Sequence, residues 1–484
     1  MKKLSSIVLF FIFIKLISAA EKPNIIFILI DDQRYDFLSY LDHPWIKTPH
    51  IDKLAANGMY FDNAFVTTSL CSPSRASIIT GQYAHSHGVM DNETPLPAQN
   101  PNFGVELQKA GYHTGFIGKW HMGGFNDMPR PGFSHWVSFK GQGDYMNPDM
   151  NVDGKQVKRE GYTTDILTDF AVDFIKKNKD EKKPWFLYLS HKAIHEDFTP
   201  APRHKGTYDG LIIPRPLTFD ESAESFEGKP DWLKKQRNSW HGAERDFYDM
   251  PYGNFDNFYR LYSEAMLAVD ESIGRVAETL EDLGELENTV IIYYSDNGYL
   301  IGEHGLIDKR VMYEPSIRVP AFIHWPEVVK TPVHKKELIT NIDIGPTILD
   351  MAGAEIPEEM HGESFLPLVK NEPVDWRDAF IYEYYCDPYA VQTPTIIGLR
   401  TNKYSYMTYE SVWDNYELYD IQKDGDQIYN LLGHIEYGQT YGTFLQNVQQ
   451  QDKELWPLVK ELDDKLNKLW QEKGGEGLPN RTKQ

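Results

Sequence analysis

Cysteine is scarce: Cys71 and Cys386 are the only two in 484 residues. Two thiols close at most one bridge, so neither a disulfide framework nor a cysteine zinc cluster is available. Positive charge is scarce too. Forty-nine Lys and Arg face 71 Asp and Glu, a net charge of −22 with 16 His counted neutral. A field of that sign repels phosphate backbones and excludes general nucleic-acid binding. Taken alone, it also disfavours an anionic substrate. Long apolar runs are missing as well: no stretch reaches the roughly 18 residues of a membrane span. What remains is ordinary globular composition, 41% hydrophobic and 25% charged, with 35 Gly and 29 Pro. Its length suits two or three structural units of about 150 residues around a large core.

The chain begins Met1-Lys2-Lys3, continues through an apolar run from Ile7 to Ile17 that Lys15 interrupts, and reaches Ser18-Ala19-Ala20. A basic start, a short apolar centre and small residues before Glu21 predict a secretory signal peptide over residues 1–20. The expected mature protein is exported, to the periplasm or beyond. It keeps no membrane anchor, and losing three lysines leaves it more acidic still.

Five short apolar runs read as buried strands: Asn24–Ile30, Thr114–Ile117, Trp185–Leu189, Thr289–Tyr294 and Ala321–His324. Amphipathic segments such as Thr164–Lys176 and Phe258–Leu283 lie between them. In the latter, Leu261, Ala265, Ala268, Val269, Ile273, Val276 and Leu280 recur at helical spacing. Alternating strands and helices predict an α/β fold, a large, mostly parallel sheet sandwiched by helices, over residues 21–370. Ligands of such sheets bind beyond the carboxyl ends of the strands. Residues 371–484 predict a smaller α+β subdomain. Its strands are Phe380–Tyr385, Thr395–Leu399, Tyr404–Tyr409 and Glu417–Tyr419, with a helix near Asp452–Gln471. Segment 200–255, rich in Pro, charge and aromatics, reads as a substrate-side insertion.

Two strand ends carry acids: Asp31-Asp32 after the first run, and Ser295-Asp296-Asn297-Gly298 after the fourth. Each alone fits a solvated turn. Together they offer hard oxygen donors suited to calcium or magnesium rather than zinc. The segment Cys71-Ser72-Pro73-Ser74-Arg75-Ala76-Ser77-Ile78-Ile79-Thr80-Gly81 puts a thiol where a helix begins, so backbone N–H groups there favour an anion. Arg75 follows one turn later on the same face.

This segment resembles the C-x-P-S-R-x-x-x-L-T-G signature of the type I, formylglycine-dependent sulfatases of the alkaline-phosphatase superfamily, departing only at Ile79. Pro23–Asp32, Gly118-Lys119-Trp120-His121-Met122-Gly123, Ser295–Gly298, Lys309 with Tyr313-Glu314, and Glu417–Asp420 resemble further blocks of that family. The likeness thus spans nearly the whole mature chain.

The resemblance implies that a formylglycine-generating enzyme oxidises Cys71 to formylglycine. It implies that Asp31, Asp32, Asp296 and Asn297, with the modified Cys71, hold a divalent cation, calcium with magnesium as the alternative. Arg75 and Lys119 then steady the formylglycine and the sulfate, His121 hydrogen-bonds the formylglycine, and Lys309 grips a sulfate oxygen. His195 aligns with the histidine facing the leaving oxygen, with His191 as its near competitor. A sulfate monoester is a weak electrophile, so these cations are expected to converge on the transferring group. One hydroxyl of the aldehyde hydrate is implied to attack sulfur, and loss of the other's proton then expels sulfate.

Further expectations for substrate contact fall on His304, Arg203, His241 and Arg318, with His204, Lys205 and Arg245 beside them; each alone also fits a surface charge. His85 and His87 read as loop histidines. The expected function is an exported sulfatase acting on sulfated carbohydrate, with the marine algal polysaccharide ulvan as the leading substrate. A glycosaminoglycan sulfatase, a phosphoester or phosphonate hydrolase, and a non-catalytic glycan-binding relative stand as alternatives.

Overall fold

The computed structural model describes residues 22–476 apart from 180, 182, 221–225, 244–251, 411, 413 and 439. The expected signal peptide and Arg245 lie outside the described residues.

The strands are β1 (Asn24–Ile30), β2 (Met59–Phe61), β3 (Ala64–Phe65), β4 (His113–Gly118), β5 (His135–Ser138), β6 (Asp149–Val152), β7 (Lys155–Lys158) and β8 (Trp185–Ser190). They continue as β9 (Thr289–Ser295), β10 (Phe322–His324), β11 (Val333–Lys335), β12 (Ile339–Thr340), β13 (Ala379–Tyr384), β14 (Thr395–Thr401), β15 (Tyr404–Glu410) and β16 (Glu417–Asp420). Ten of them form one sheet in the order β11-β2-β10-β9-β1-β8-β4-β5-β6-β7. The central run β9-β1-β8-β4-β5 is parallel throughout.

β1 is buried end to end because both its faces are covered. Its side chains alternate between two cores, as the pleat dictates. Ile25, Phe27 and Leu29 join the cluster holding Ile78, Ile79, Phe103 and Ile348. Ile26, Ile28 and Ile30 join the one holding Ile166, Ala268 and Val276. Helices Cys71–Thr80, Phe103–Lys109 and Ile344–Met351 therefore lie on one face, and Thr163–Asn178 and Phe255–Leu283 on the other. Each fully buried large apolar side chain contributes about 1.5–3 kcal/mol.

The five expected strands are all present, yet the fifth, β10, runs antiparallel to both neighbours. The hairpin β6–β7 was not anticipated. Its lysine-bearing edge strand lacks an apolar run, although Asp153-Gly154, both at positive φ, mark a tight hairpin turn.

β13–β16 form an antiparallel sheet in sequence order. Residue 370 falls between helix Leu366–Val369 and β13. One apolar cluster crosses that point, with Phe65 and Phe380 rings 5.1 Å apart. The helix expected near 452–471 spans Trp456–Glu472, and a second, Gln-rich helix precedes it at Tyr441–Gln451. Within the 200–255 segment, Lys229 and Trp232 dock on this sheet. The buried Lys229 Nζ donates to Tyr419 Oη and the Gln427 carbonyl, both at 2.6 Å, and the Trp232 ring meets Tyr409.

Candidate active site

The carboxyl ends of four adjacent strands, β9, β1, β8 and β4, meet at one place. β1 delivers Asp31 and Asp32, β9 delivers Asp296 and Asn297, β4 leads into Lys119 and His121, and β8 leads into Ser190 and the loop to His195. Backbone hydrogen bonds fix that loop: Asp31 N donates to the Ala193 carbonyl at 3.1 Å and Ile194 N to the Asp31 carbonyl at 2.9 Å. Two glycines permit the approach. At Gly118, with φ 123°, a Cβ would lie 1.7 Å from the Ser190 carbonyl oxygen; at Gly298, one would lie 2.1 Å from that of Pro315.

Every residue of helix Cys71–Thr80 is buried, hydroxyls included. Each hydroxyl has a partner: Ser72 donates to the His121 carbonyl, Ser74 accepts from Asn341 Nδ2, Ser77 meets His87, and Thr80 donates to the Ala76 carbonyl. The helix is thereby fastened around the site, with Cys71 at its first turn.

Arg75, 1% exposed, clamps the strand ends. Its Nε and Nη2 reach Asp296 Oδ2 at 2.9 and 2.8 Å, and Nη1 donates to the Lys119 carbonyl at 2.6 Å and to Ser190 Oγ at 2.8 Å. Lys119 Nζ pairs with Asp31 Oδ2. Lys309 Nζ contacts both oxygens of Asp32 at 2.5 and 2.6 Å and lies 3.2 Å from Cys71 Sγ. The three cations converge as the charge argument requires.

Burial works to raise Asp31, but Lys119 and Arg75 outweigh it and hold this carboxyl well below the usual range. Burial, with Asp31 beside it, pushes Asp296 up to about 7 against the pull of Arg75. Asp32 is raised by burial against Lys309. Burial also pushes the Cys71 thiol up to about 12 despite Lys119 and Lys309, so the unmodified side chain is a neutral thiol.

Between the two competing histidines the geometry discriminates. A His195 ring nitrogen, a carboxylate oxygen of Asp31 and Cys71 Sγ all lie within 4.8 Å of one another, and His195 Nε2 is 3.9 Å from Asp32 Oδ2. His191 Nε2 instead meets Ser272 Oγ at 3.2 Å on the far helix Phe255–Leu283. His121 is buried beside the cluster at φ 49°, its Nδ1 without a hydrogen-bond partner among the described residues.

The expected substrate residues scatter. Arg203 does not join the cluster; its guanidinium is held by Asp165 at 2.8 Å and Glu271 at 2.7 Å, and His204 pairs with the same Glu271. Arg318 lies over the Tyr35 ring at 4.6 Å and donates to the Asp62 carbonyl, tying a turn. Lys205 is exposed. His304 stacks on Tyr313, ring centroids 3.9 Å apart, and lines a cavity of about 390 Å³ with Arg34, Arg215 and Glu303. His241 lies beside Asp308 and Arg310, next to Lys309. Ser190 escaped the sequence reading, as did Tyr262, whose hydroxyl donates to the Asp32 carbonyl at 2.8 Å. Applying the strand-end rule to β8 would have found the serine.

The sequence pattern of the sulfatase family matches residues 23–354, which include every residue of this cluster. The chain belongs to the sulfatase family. The pattern described as "N-sulphoglucosamine sulphohydrolase, C-terminal" matches residues 302–454. This sulfatase is 34% identical to the N-acetylglucosamine-6-O-sulfatase of Bacteroides thetaiotaomicron, over 90% of this chain and 87% of that protein. It is 29% identical to an ulvan-active sulfatase of Formosa agariphila, over 94% and 82% respectively. Among solved structures it is similar to BT4656 in complex with its substrate, D-glucosamine-2-N,6-O-disulfate, with TM-score 0.84, 31% identity, and coverage of 96% of this chain and all of that one. The enzyme is a sulfate ester hydrolase.

Sulfatases of this family are metal-binding and formylglycine-dependent, and the residues present fit both. Oxygens of Asp31, Asp32 and Asp296 lie within 4.8 Å of one another, fully buried. Asn297 Oδ1 is buried with no hydrogen-bond partner among the described residues, the state expected of an amide oxygen reserved for a cation. Cys71 stands at the edge of this group, facing Asp31 Oδ1 at 3.6 Å.

Proposed function

We propose that this sulfatase removes 6-O-sulfate from N-acetylglucosamine units of a sulfated carbohydrate, using formylglycine made from Cys71 and a calcium ion. The observation that carries this reading is the full-length likeness to the structure whose substrate is D-glucosamine-2-N,6-O-disulfate. The N-acetylglucosamine-6-O-sulfatase relative supports it in sequence. The ulvan-active relative, at lower identity, keeps an ulvan sugar as the second reading.

In this reading Asp31, Asp32, Asp296 and Asn297 hold the cation. When bound, the cation and the formylglycine supply a Lewis acid and a hydroxyl nucleophile. Everything else is done by this chain's own side chains. Lys119 and Lys309 aim ammonium groups at the space over position 71, where the sulfuryl oxygens gather negative charge. Arg75 keeps Asp296, Lys119 and Ser190 in register, so that this arrangement does not relax between turnovers. His121 steadies the modified side chain. His195, 16% exposed at its side chain, holds a proton toward the departing sugar oxygen.

The protein is read as exported, to the periplasm or the medium, and its maturation as dependent on a formylglycine-generating enzyme. Among the described residues no helix is long and apolar enough to cross a membrane. The test is a panel of sulfated sugars, including N-acetylglucosamine-6-sulfate and ulvan oligosaccharides, with an aryl sulfate and an aryl phosphate as references. Sulfate release fastest from the 6-sulfated amino sugar supports the reading. Preference for ulvan fragments replaces the substrate, and faster hydrolysis of the phosphate replaces the substrate class.

A further inference from the structure

The loop that carries His195 is fastened to the start of a helix by two tyrosines. His195 N donates to the Lys192 carbonyl at 3.1 Å, closing a turn, and the His195 carbonyl accepts from the Tyr145 hydroxyl at 2.7 Å. Farther along, the Thr199 carbonyl accepts from the Tyr162 hydroxyl at 2.9 Å. The two rings are stacked, with centroids 5.9 Å apart and planes at 21°. Thr163 N donates to the Tyr145 carbonyl at 2.8 Å, which ties the pair to the first turn of helix Thr163–Asn178.

Lys192 completes this arrangement at a cost. It is 2% exposed, and its ammonium has no hydrogen-bond partner among the described residues. A buried charge without an acceptor is expensive, and Met would fill the same space. Such departures from good packing chemistry are kept where a site needs them. The partner that Lys192 does have is the face of Tyr145, whose ring centroid lies 4.5 Å from Nζ; Tyr145 is itself 5% exposed.

The His195 ring takes its direction from the backbone so held. Its Nδ1 lies 3.1 Å from the Glu196 carbonyl. A carbonyl only accepts, so Nδ1 carries the hydrogen there, and Nε2 is the nitrogen left to face the cluster, 3.9 Å from Asp32 Oδ2.

We infer that Tyr145 and Lys192 are positioning residues for His195: the Tyr145 hydroxyl holds the His195 backbone, and Lys192 holds the plane of the tyrosine ring. Together they keep Nε2 aimed at the departing oxygen. This rests on the reading of His195 as the proton donor given above. Proton transfer needs hydrogen-bond reach, and a displacement of about 1 Å costs about 10²-fold in rate. The Tyr145 hydroxyl is one anchor of a loop that Asp31 also holds, so its loss forfeits part of that factor.

The experiment uses full-length protein matured with a formylglycine-generating enzyme, assayed on the sugar sulfate of the panel that the wild type hydrolyses fastest. Tyr145→Phe removes a single oxygen and is expected to lower kcat about 10-fold with KM nearly unchanged. Lys192→Met is expected to act in the same direction, and Lys192→Arg, which returns a cation to the ring face, to recover most of the loss. The double variant Tyr145→Phe with His195→Ala is expected to be no slower than His195→Ala alone. Once the donor is gone, nothing is left to aim.

A Tyr145→Phe kcat at the wild-type value overturns the inference. So does a 10-fold loss that persists in the His195→Ala background, since the hydroxyl would then support the site at large. If the Lys192 variants do not fold, the Tyr145 cycle decides. A His195→Ala kcat equal to the wild type overturns the reading of His195 as donor, and the positioning with it. A wild type active on no sugar sulfate overturns the carbohydrate reading alone; the same cycle on phenyl sulfate, whose leaving oxygen also takes a proton, then decides.

Discussion

The Lys309 ammonium lies 3.2 Å from the Cys71 sulfur, although 238 residues separate them in the chain. The contact joins the loop after the metal-type pair Asp296-Asn297 to the first turn of the signature helix. It makes position 71 a point where a buried thiol and a cation meet, and it organises what the site can be asked to do.

Replacement of the residue at that point is the first test. Cys71→Ala is expected to lower sulfatase activity on the order of 10³-fold or more while leaving the thermal midpoint near the wild-type value, since a small buried side chain is exchanged for another. Mass spectrometry of the Cys71 peptide from active protein should find the aldehyde. Full activity with only unmodified thiol would refute the nucleophile.

Arg75 is buried against Asp296 and Asp31. Arg75→Ala leaves those carboxylates without their partner, and breaking a buried pair in this way destabilises by about 3–5 kcal/mol. Chemical denaturation should report a loss of that size. A loss under about 1 kcal/mol would mean that the clamp is dispensable for the fold.

Removal of divalent cations should lower both activity and thermal stability. A ligand present at 100 times its Kd stabilises by about 2.7 kcal/mol, and chelation forfeits that amount. Calcium is expected to restore both properties more fully than magnesium, because several carboxylates in flexible geometry suit the larger ion. Restoration by magnesium alone would reassign the metal.

His195 and His191 separate by their effects. His195→Ala is expected to slow sugar sulfates by about 10²–10⁴-fold and to spare substrates with good leaving groups, as removal of a general acid does. His191→Ala is expected to reduce stability with little change in kcat, since His191 contacts Ser272 on the helix Phe255–Leu283. The opposite pattern would exchange the two assignments.

Burial lowers His87 to about 3 and His191 to about 4, so both are neutral in the folded protein. The unfolded chain takes up these protons below about pH 6.5 and the folded chain does not. Stability is therefore fully present above pH 6.5 and is lost as pH falls from there, toward 4 for His191 and toward 3 for His87. The loss is about 2 kcal/mol per histidine at pH 5. His87→Gln should flatten the fall of the thermal midpoint between pH 7 and pH 5; an unchanged slope would show that other groups control it.

Much of the cluster's membership was legible in the sequence. Asp31, Asp32, Asp296 and Asn297 stand where apolar runs end, and Cys71 and Arg75 stand one helical turn apart. The partners of Arg203 and Arg318 were not legible for one reason: a sequence displays a charge but not what holds it, and Glu271 and the Asp62 carbonyl lie far along the chain. The β6–β7 hairpin was lost because an exposed lysine-bearing edge strand has no apolar alternation to display.

What the sequence determined by itself was local and periodic: strands buried on both faces, amphipathic helices between them, and a helix-start signature specific enough to name a chemistry. The order β9-β1-β8-β4 was decided only by tertiary structure, and with it which lysine meets which aspartate and which of two histidines faces Cys71. Spacing along a chain sets which face of its own element a side chain occupies. It says nothing of which strand lies alongside, and that is settled by the packing of two apolar cores against one twisted sheet.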